Sequence, residues 1–282
     1  MRFSFYISVL TACLLLQSCS VHKTKDVAYT QSTAANSAAS KLNVFAQRHI
    51  KGKGEKQPVI IFVHGGNWNT GNKNSYGLLG RNFARKGIIT VIPDYTLSPN
   101  ADYDAMAKEI AAAIRWTKEN ISKYGGDPNQ VFITGHSAGG HLAALAVMNP
   151  KYGIAPKSIS GIILNDAAGL DMKNYLEENP PTGEHDYLAT WTDNPQQWQD
   201  ASPIYFLDKD TPPFLVYVGR KTYASIKTAN SRFLAALHPF QPDVVPIYIN
   251  KSHIPMVLQY FRSGSKRFGE VEVFMASVKK KH

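Results

Sequence analysis

Apolar residues come along this chain in two rhythms. Short continuous runs fall at Pro58–Val63, Ile88–Ile92, Val131–Thr134, Ser158–Leu164, Pro213–Val218 and Val244–Ile249. Runs of this length suit strands buried on both faces. Between them lie longer stretches with helical spacing: Tyr76–Lys86, Asp102–Tyr124, the Ala/Leu-rich stretch ending at Met148, and Thr222–Leu237. In the second of these, Met106, Ile110, Ile114, Thr117 and Ile121 mark one face. Leu42–Ile50 reads as a lead-in strand and the tail from Phe268 as a closing helix. Glycine-bearing breaks at 52–56 and 125–129 punctuate the pattern. Strands alternating with helices imply an α/β fold, a mostly parallel sheet with helices on both faces. Reactive groups in such a sheet gather at the carboxyl ends of the strands.

Two regions break the rhythm. Leu170–Asp210 is irregular and rich in aromatics, among them Tyr175, Tyr187, Trp191 and Trp198. It reads as an insertion of about residues 170–210 folding over the site, and its aromatics suggest an apolar group or a sugar ring as ligand. The other region is the N-terminus. Arg2 precedes an apolar stretch, Phe3–Leu16, that is short for a membrane span. It ends in Leu16-Gln17-Ser18-Cys19, which resembles the lipobox of bacterial lipoproteins. The chain therefore divides into a signal peptide at 1–18, a polar tether at 19–40 that starts with a lipidated Cys19, and one domain at 41–282. The expected location is the bacterial cell envelope, exported and held to a membrane by a lipid anchor.

Composition adds little to the partners. The 282 residues are 44% hydrophobic, enough for one large core, and carry a net charge of +10. The basic residues are spread out apart from Lys279-Lys280-Lys281, and no nucleic-acid motif is present, so no nucleic-acid partner is expected. Both cysteines, Cys13 and Cys19, precede the domain, which leaves it without a disulfide or a cysteine metal site. His64, His136 and His141 have no supporting ligand spacing, so neither a metal nor another cofactor is expected.

The chemistry sits where strands end. Val131–Thr134 runs into Gly135-His136-Ser137-Ala138-Gly139-Gly140 and then a helix. That is G-x-S-x-G in a strand–turn–helix context, the nucleophile elbow. A turn this tight has room only for glycine at Gly135 and Gly139, and it holds Ser137 out over the sheet. Strand Pro58–Val63 is followed by His64-Gly65-Gly66-Asn67-Trp68, an HGG element whose backbone N–H groups can bind an oxyanion. His64 reads as a buried orienting histidine rather than a base. Asp166 and His253 each follow a strand.

Together with Pro93-Asp94-Tyr95-Thr96-Leu97-Ser98-Pro99 and Tyr124-Gly125-Gly126-Asp127-Pro128-Asn129, these segments resemble the α/β-hydrolase fold. The likeness is to its HGG-type esterase/lipase branch, with feruloyl-esterase-like, hormone-sensitive-lipase-like and kynurenine-formamidase-like members. The resemblance implies Ser137 as nucleophile, His253 as base, and Gly65, Gly66 and Ala138 as the oxyanion hole. It also implies an acid just after the penultimate strand. That strand continues Val218-Gly219-Arg220-Lys221-Thr222-Tyr223 and offers no carboxylate. Among the carboxylates between Ser137 and His253, Asp166 is best placed to replace it; its alternative role is a helix cap or turn carboxylate. Failing Asp166, the site is a Ser–His dyad with Thr222 or a carbonyl orienting the ring. The expected function is a serine-dependent carboxylic-ester hydrolase acting on a small-molecule or glycan-linked ester. The alternatives are an arylformamidase or amidase with the same machinery, and a catalytically silent lipid-anchored binding protein that kept the pocket and lost the acid.

Overall fold

A computed structural model describes residues 21–30, 40–47 and 56–279. Its sheet has eight strands: β1 (Val21–Ala28), β2 (Lys41–Gln47), β3 (Gln57–Val63), β4 (Ile89–Pro93), β5 (Gly126–His136), β6 (Gly161–Asn165), β7 (Phe214–Gly219) and β8 (Ile247–Ile249). Their order is β1-β2-β4-β3-β5-β6-β7-β8. β2 pairs antiparallel with both β1 and β4, and every other pairing is parallel. The helices are α1 (Gly77–Arg85), α2 (Tyr103–Asn120), α3 (Ala138–Met148), α4 (Met172–Glu178), α5 (Tyr187–Trp191), α6 (Pro195–Asp200), α7 (Ala224–Leu237), α8 (His253–Leu258) and α9 (Lys266–Lys279).

The apolar runs have the two-sided burial they require. In β3, Val59, Ile61 and Val63 face a core built with α2, α3 and α7. Ile60 and Phe62 face a second core, where Phe83 of α1 meets Phe268 and Val271 of α9. Residues two apart share a face of a strand, so one run supplies both cores. Chain direction across the sheet reverses at β3: the crossover to β4 goes one way, the later crossover to β5 the other. The crevice beside that switch is where open α/β sheets place ligands.

Several boundaries differ from the sequence pattern; β5 begins at Gly126, inside the expected break, and β6 at Gly161. The tether assigned to 19–40 contains a strand, β1, paired with β2 from Val21↔Gln47 to Ala28↔Lys41. The pairing is made by main-chain hydrogen bonds at a sheet edge, where the lysines of VHKTKDVA can reach water, so apolar alternation is not needed. The helix expected over 102–124 ends at Asn120, and a single 3-10 turn, Ile121–Tyr124, closes it against Gly125 at φ 84°. β8 is shorter than the run that predicted it and begins at Ile247. The signal peptide, Cys19, and most of the turn at 52–56 lie outside the described residues.

The insertion is also more integral than a cover. Trp191 is fully buried, with its ring 4.7 Å from Trp68, 5.7 Å from Tyr103 and 5.5 Å from His141. Trp198 is buried and donates its indole N–H to the carbonyl of Trp191. The tryptophans are core pillars rather than a stacking platform for a ligand, because their large apolar surfaces close the gap between α2, α3 and the insertion. Tyr175 and Tyr187 are the insertion aromatics that reach the cleft.

Candidate active site

The elbow is as tight as the sequence demands. A Cβ on Gly135 would lie 2.3 Å from the carbonyl group of Gly139, and one on Gly139 would lie 2.1 Å from the carbonyl oxygen of Val63. Only glycine permits β5, α3 and the end of β3 to meet so closely. Ser137 sits at φ 55°, ψ −126°, a conformation that is costly for a residue with a side chain. Its N–H donates to the carbonyl of Asn165 (3.3 Å), and its own carbonyl accepts from Gly140, His141 and Ala168. The strained turn is thus over-determined by the end of β6.

The HGG loop approaches from β3. A Cβ on Gly65 would come within 2.6 Å of the His136 carbonyl and 3.2 Å of the Ser137 Cβ, so its backbone runs directly beside the serine. Gly66, at φ +131°, receives the N–H groups of Asn69 and Thr70 on its carbonyl and leaves no room for a side chain. Gly65, Gly66 and Ser137 line one cleft of about 920 Å³; Ala138, the first residue of α3, is buried directly behind the serine. First-turn N–H groups have no partner inside the helix and carry the positive end of its dipole.

His64 is buried, as an orienting residue must be. Its Nδ1–H donates to the Gly65 carbonyl (3.0 Å), its ring stacks on Tyr95 (4.4 Å), and burial pushes its pKa down. Asp94 lies 3.8 Å from His64 Nε2 and binds the buried Lys73 ammonium at 2.6 Å. Lys73 reaches Asp26 of β1 at 3.0 Å, so the edge strand is fastened to the HGG loop.

His253 opens α8 and faces the same cleft as Ser137. Its Nδ1–H donates to Asp166 Oδ2 at 2.6 Å, and both side chains are buried. Asp166 follows β6 at φ 52°. It caps no helix: its N–H donates to the Tyr217 carbonyl (2.8 Å), and its Oδ1 accepts the N–H of Gly219 (2.8 Å). The structure therefore brings Ser137, His253, Asp166, Gly65 and Gly66 to one end of the sheet. Thr222 also hydrogen-bonds Asp166 Oδ2, so it meets the carboxylate instead of standing in for it.

Two residues carry more than the sequence indicated. His136, the variable residue of the elbow, donates Nε2–H to the His253 carbonyl (3.0 Å), and the two rings lie 4.5 Å apart. Burial, then the charge of His253, pushes its pKa down to about 4, which keeps it neutral. His141 accepts the Trp68 indole N–H on Nδ1 (3.1 Å) and donates Nε2–H to the Ala201 carbonyl (2.7 Å). It bridges the HGG loop to the insertion, and burial pushes its pKa to about 4 as well. The sequence marked neither role, because the partners, His253 and Ala201, come from far along the chain.

Among the described residues no group of three or more His, Cys, Asp or Glu side chains is arranged to hold a metal. The cleft walls are uncharged or aromatic apart from the histidines and Asp171, whose carboxylate is held by Arg232 at 2.6 Å.

Comparison with known proteins finds esterases. Esterase LipQ of Mycobacterium tuberculosis is 36% identical over 197 residues, covering 65% of this chain and 46% of that protein. Esterase LipC of the same organism is 33% identical over 179 residues, covering 58% and 44%. The chain thus spans less than half the length of these curated relatives. Among solved structures, esterase B from Lactobacillus rhamnosis superposes with a TM-score of 0.75 at 20% identity, covering 93% of this chain and 88% of the other. An esterase from Pyrobaculum calidifontis gives 0.65 at 21% identity, covering 93% and 83%. Both share the sheet and its surrounding helices. The BD-FAE family model matches residues 48–237, well over half of the chain, and the chain belongs to that family, built on the α/β-hydrolase fold.

Proposed function

We propose that this protein is a serine-dependent carboxylic-ester hydrolase that works through an acyl-enzyme. The observation that carries the reading is the buried 2.6 Å contact between Asp166 Oδ2 and His253 Nδ1, in the cleft onto which Ser137 opens. With Nδ1–H committed to the carboxylate, the lone pair of His253 Nε2 is free to accept the Ser137 proton. Ser137 Oγ then attacks the acyl carbon. The carbonyl oxygen gains negative charge against the N–H groups of Gly65, Gly66 and Ala138, each worth about 3–4 kcal/mol in the transition state. Collapse breaks the ester C–O bond, and His253 returns the proton to the departing alcohol. Water, deprotonated by the same histidine, cleaves the acyl-enzyme and regenerates the serine.

The names of the curated relatives support ester over amide substrates. The silent-protein alternative loses its motive, since a carboxylate does meet the histidine. The substrate we assign is a small-molecule or glycan-linked ester, held by a neutral, partly aromatic cleft. We assign Cys19 as the lipid-bearing residue of an exported envelope protein on the strength of the run that precedes it; a diacylglyceryl mass on the N-terminal peptide is the check.

A fluorophosphonate probe tests the central reading. It should label Ser137, found by peptide mapping. Ser137→Ala should abolish both labelling and hydrolysis of a short acyl ester. The thermal midpoint should hold, because alanine keeps the Cβ and the φ 55° backbone of the elbow and removes only a hydroxyl. Substantial turnover by Ser137→Ala would overturn the assignment.

A further inference from the structure

Thr222 lies in the turn after β7, buried between the two residues read above as acid and base. Its Oγ hydrogen-bonds Asp166 Oδ2, the oxygen that also receives His253 Nδ1–H. The same Oγ lies 3.3 Å from His253 Nδ1. The direction of the bonds follows from chemistry. An ionised carboxylate only accepts, so the threonine O–H must point at Asp166. Its lone pairs then face Nδ1–H as a second, longer acceptor. The turn itself cannot drift: Thr222 N–H donates to the Gly219 carbonyl (3.2 Å) and Lys221 N–H to the Lys251 carbonyl (3.1 Å), just ahead of His253. Asp166 therefore has Oδ1 held by Gly219 N–H and Oδ2 shared between Thr222 and His253.

We propose that Thr222 is a positioning residue for the Asp166–His253 pair, and that the site of the acid spans both Asp166 and position 222. The inference rests on the hydrolase reading of that pair. Without the Thr222 hydroxyl, Oδ2 keeps its bond to Nδ1–H and its partner on Oδ1 but loses the donor that fixes its direction, so the ring is aimed less well at Ser137. A donor on Oδ2 also spreads its negative charge, which weakens its hold on a protonated His253. Loss of the hydroxyl should accordingly make His253 more basic and move the acid limb of the rate profile to higher pH. The 3.3 Å separation further means that a carboxylate placed at 222 can reach Nδ1.

Four variants test this: Thr222→Val, Thr222→Ser, Asp166→Asn, and Asp166→Asn combined with Thr222→Asp. Thr222→Val keeps the shape and removes the hydroxyl. It should lower kcat by about tenfold, with KM within about twofold and the acid limb displaced upward. Thr222→Ser should recover most of that loss, since it restores the hydroxyl and not the methyl group. Asp166→Asn should cost on the order of 10⁴ in kcat, and adding Thr222→Asp should recover at least about tenfold of it. Thr222→Val with wild-type kcat and an unmoved acid limb would overturn the proposal, as would equal losses in the Val and Ser variants. A double variant that is folded by circular dichroism yet no faster than Asp166→Asn would overturn the two-position site. The downfield NMR resonance of the His253 Nδ1 proton gives a readout independent of turnover, and Thr222→Val should shift it. A shifted resonance in a protein that hydrolyses no ester would count against the hydrolase reading and leave the positioning role standing.

Discussion

At the scale of single residues, the site is held by side chains that must stay uncharged. His141 has one nitrogen taking the Trp68 indole N–H and the other giving its proton to Ala201. A second proton would set an N–H against an N–H. His136 has its donor on the His253 carbonyl, in contact with a ring that would become cationic in the proposed mechanism. Both are pushed by burial from 6.5 to about 4. A histidine whose folded pKa is depressed is neutral in both states above the unfolded value. Between pH 6.5 and 4 the unfolded chain binds a proton that the folded chain refuses, so stability falls as pH falls through that window. Each histidine contributes a slope of up to about 1.4 kcal/mol per pH unit. Urea titrations at pH 7, 5.5 and 4.5 should show the loss. His141→Gln, which can donate and accept at the same place without titrating, should make the slope shallower by up to one proton. A stability that stays flat from pH 7 to 4.5 would refute the neutral assignments.

At the scale of elements, sequence and structure part ways for identifiable reasons. The elbow and the HGG loop were legible because backbone contacts of about 2–3 Å dictate glycine at fixed positions. Asp166 was legible because it follows a strand beside the elbow, although no motif marks it. β1 was not, since an edge strand is stabilised by main-chain pairing and tolerates lysine at alternate positions. What the sequence did not show is that His136 also binds the His253 main chain, and that Thr222 meets the Asp166 carboxylate as well as the ring. Their separations along the chain are long, and only the crossovers bring them together. Aromatic richness between 170 and 210 did not separate core from cleft, because both need large apolar rings. The structure makes that separation testable. Trp191→Ala should destabilise the fold by about 3–5 kcal/mol, as expected for removal of a fully buried indole. Tyr175→Ala, on the cleft wall, should instead raise KM with a small change in unfolding midpoint. If Trp191→Ala unfolds like the wild type, the insertion is a cover after all.

At the scale of the whole molecule, β1 changes what a lipid anchor would mean. A long tether from Cys19 would leave the domain free to turn in any direction. Instead the sheet begins at Val21, two residues further on, a reach of at most about 7 Å. The register fixes which end of the sheet that is. Ala28 pairs with Lys41, and Leu42 pairs with Pro93 at the carboxyl end of β4, on the side of the cleft. Val21 pairs with Gln47, at the opposite end. The proposed anchor at Cys19 would therefore hold the edge of the sheet away from Ser137 against the bilayer. Lys23 and Lys25 beside it, with Arg81 of α1 close enough to help lower the Lys23 pKa after burial, suit an anionic headgroup layer. With that anchor the cleft would open toward the aqueous space, and the proposed ester would come from there rather than from the supporting membrane. Strands of seven residues at about 3.3 Å each separate the two ends by roughly 20 Å. With the processing proposed above, in which Cys13 leaves with the signal and Cys19 carries the lipid, an introduced cysteine would be the single free thiol. In the lipidated protein on vesicles with lipid-borne quenchers, a fluorophore on Lys23→Cys should be strongly quenched. One on Tyr223→Cys, at the cleft mouth, should be nearly untouched. Equal quenching at both positions would mean that the domain lies on its side, and quenching at Tyr223→Cys alone would invert the orientation and make the bilayer itself the source of substrate.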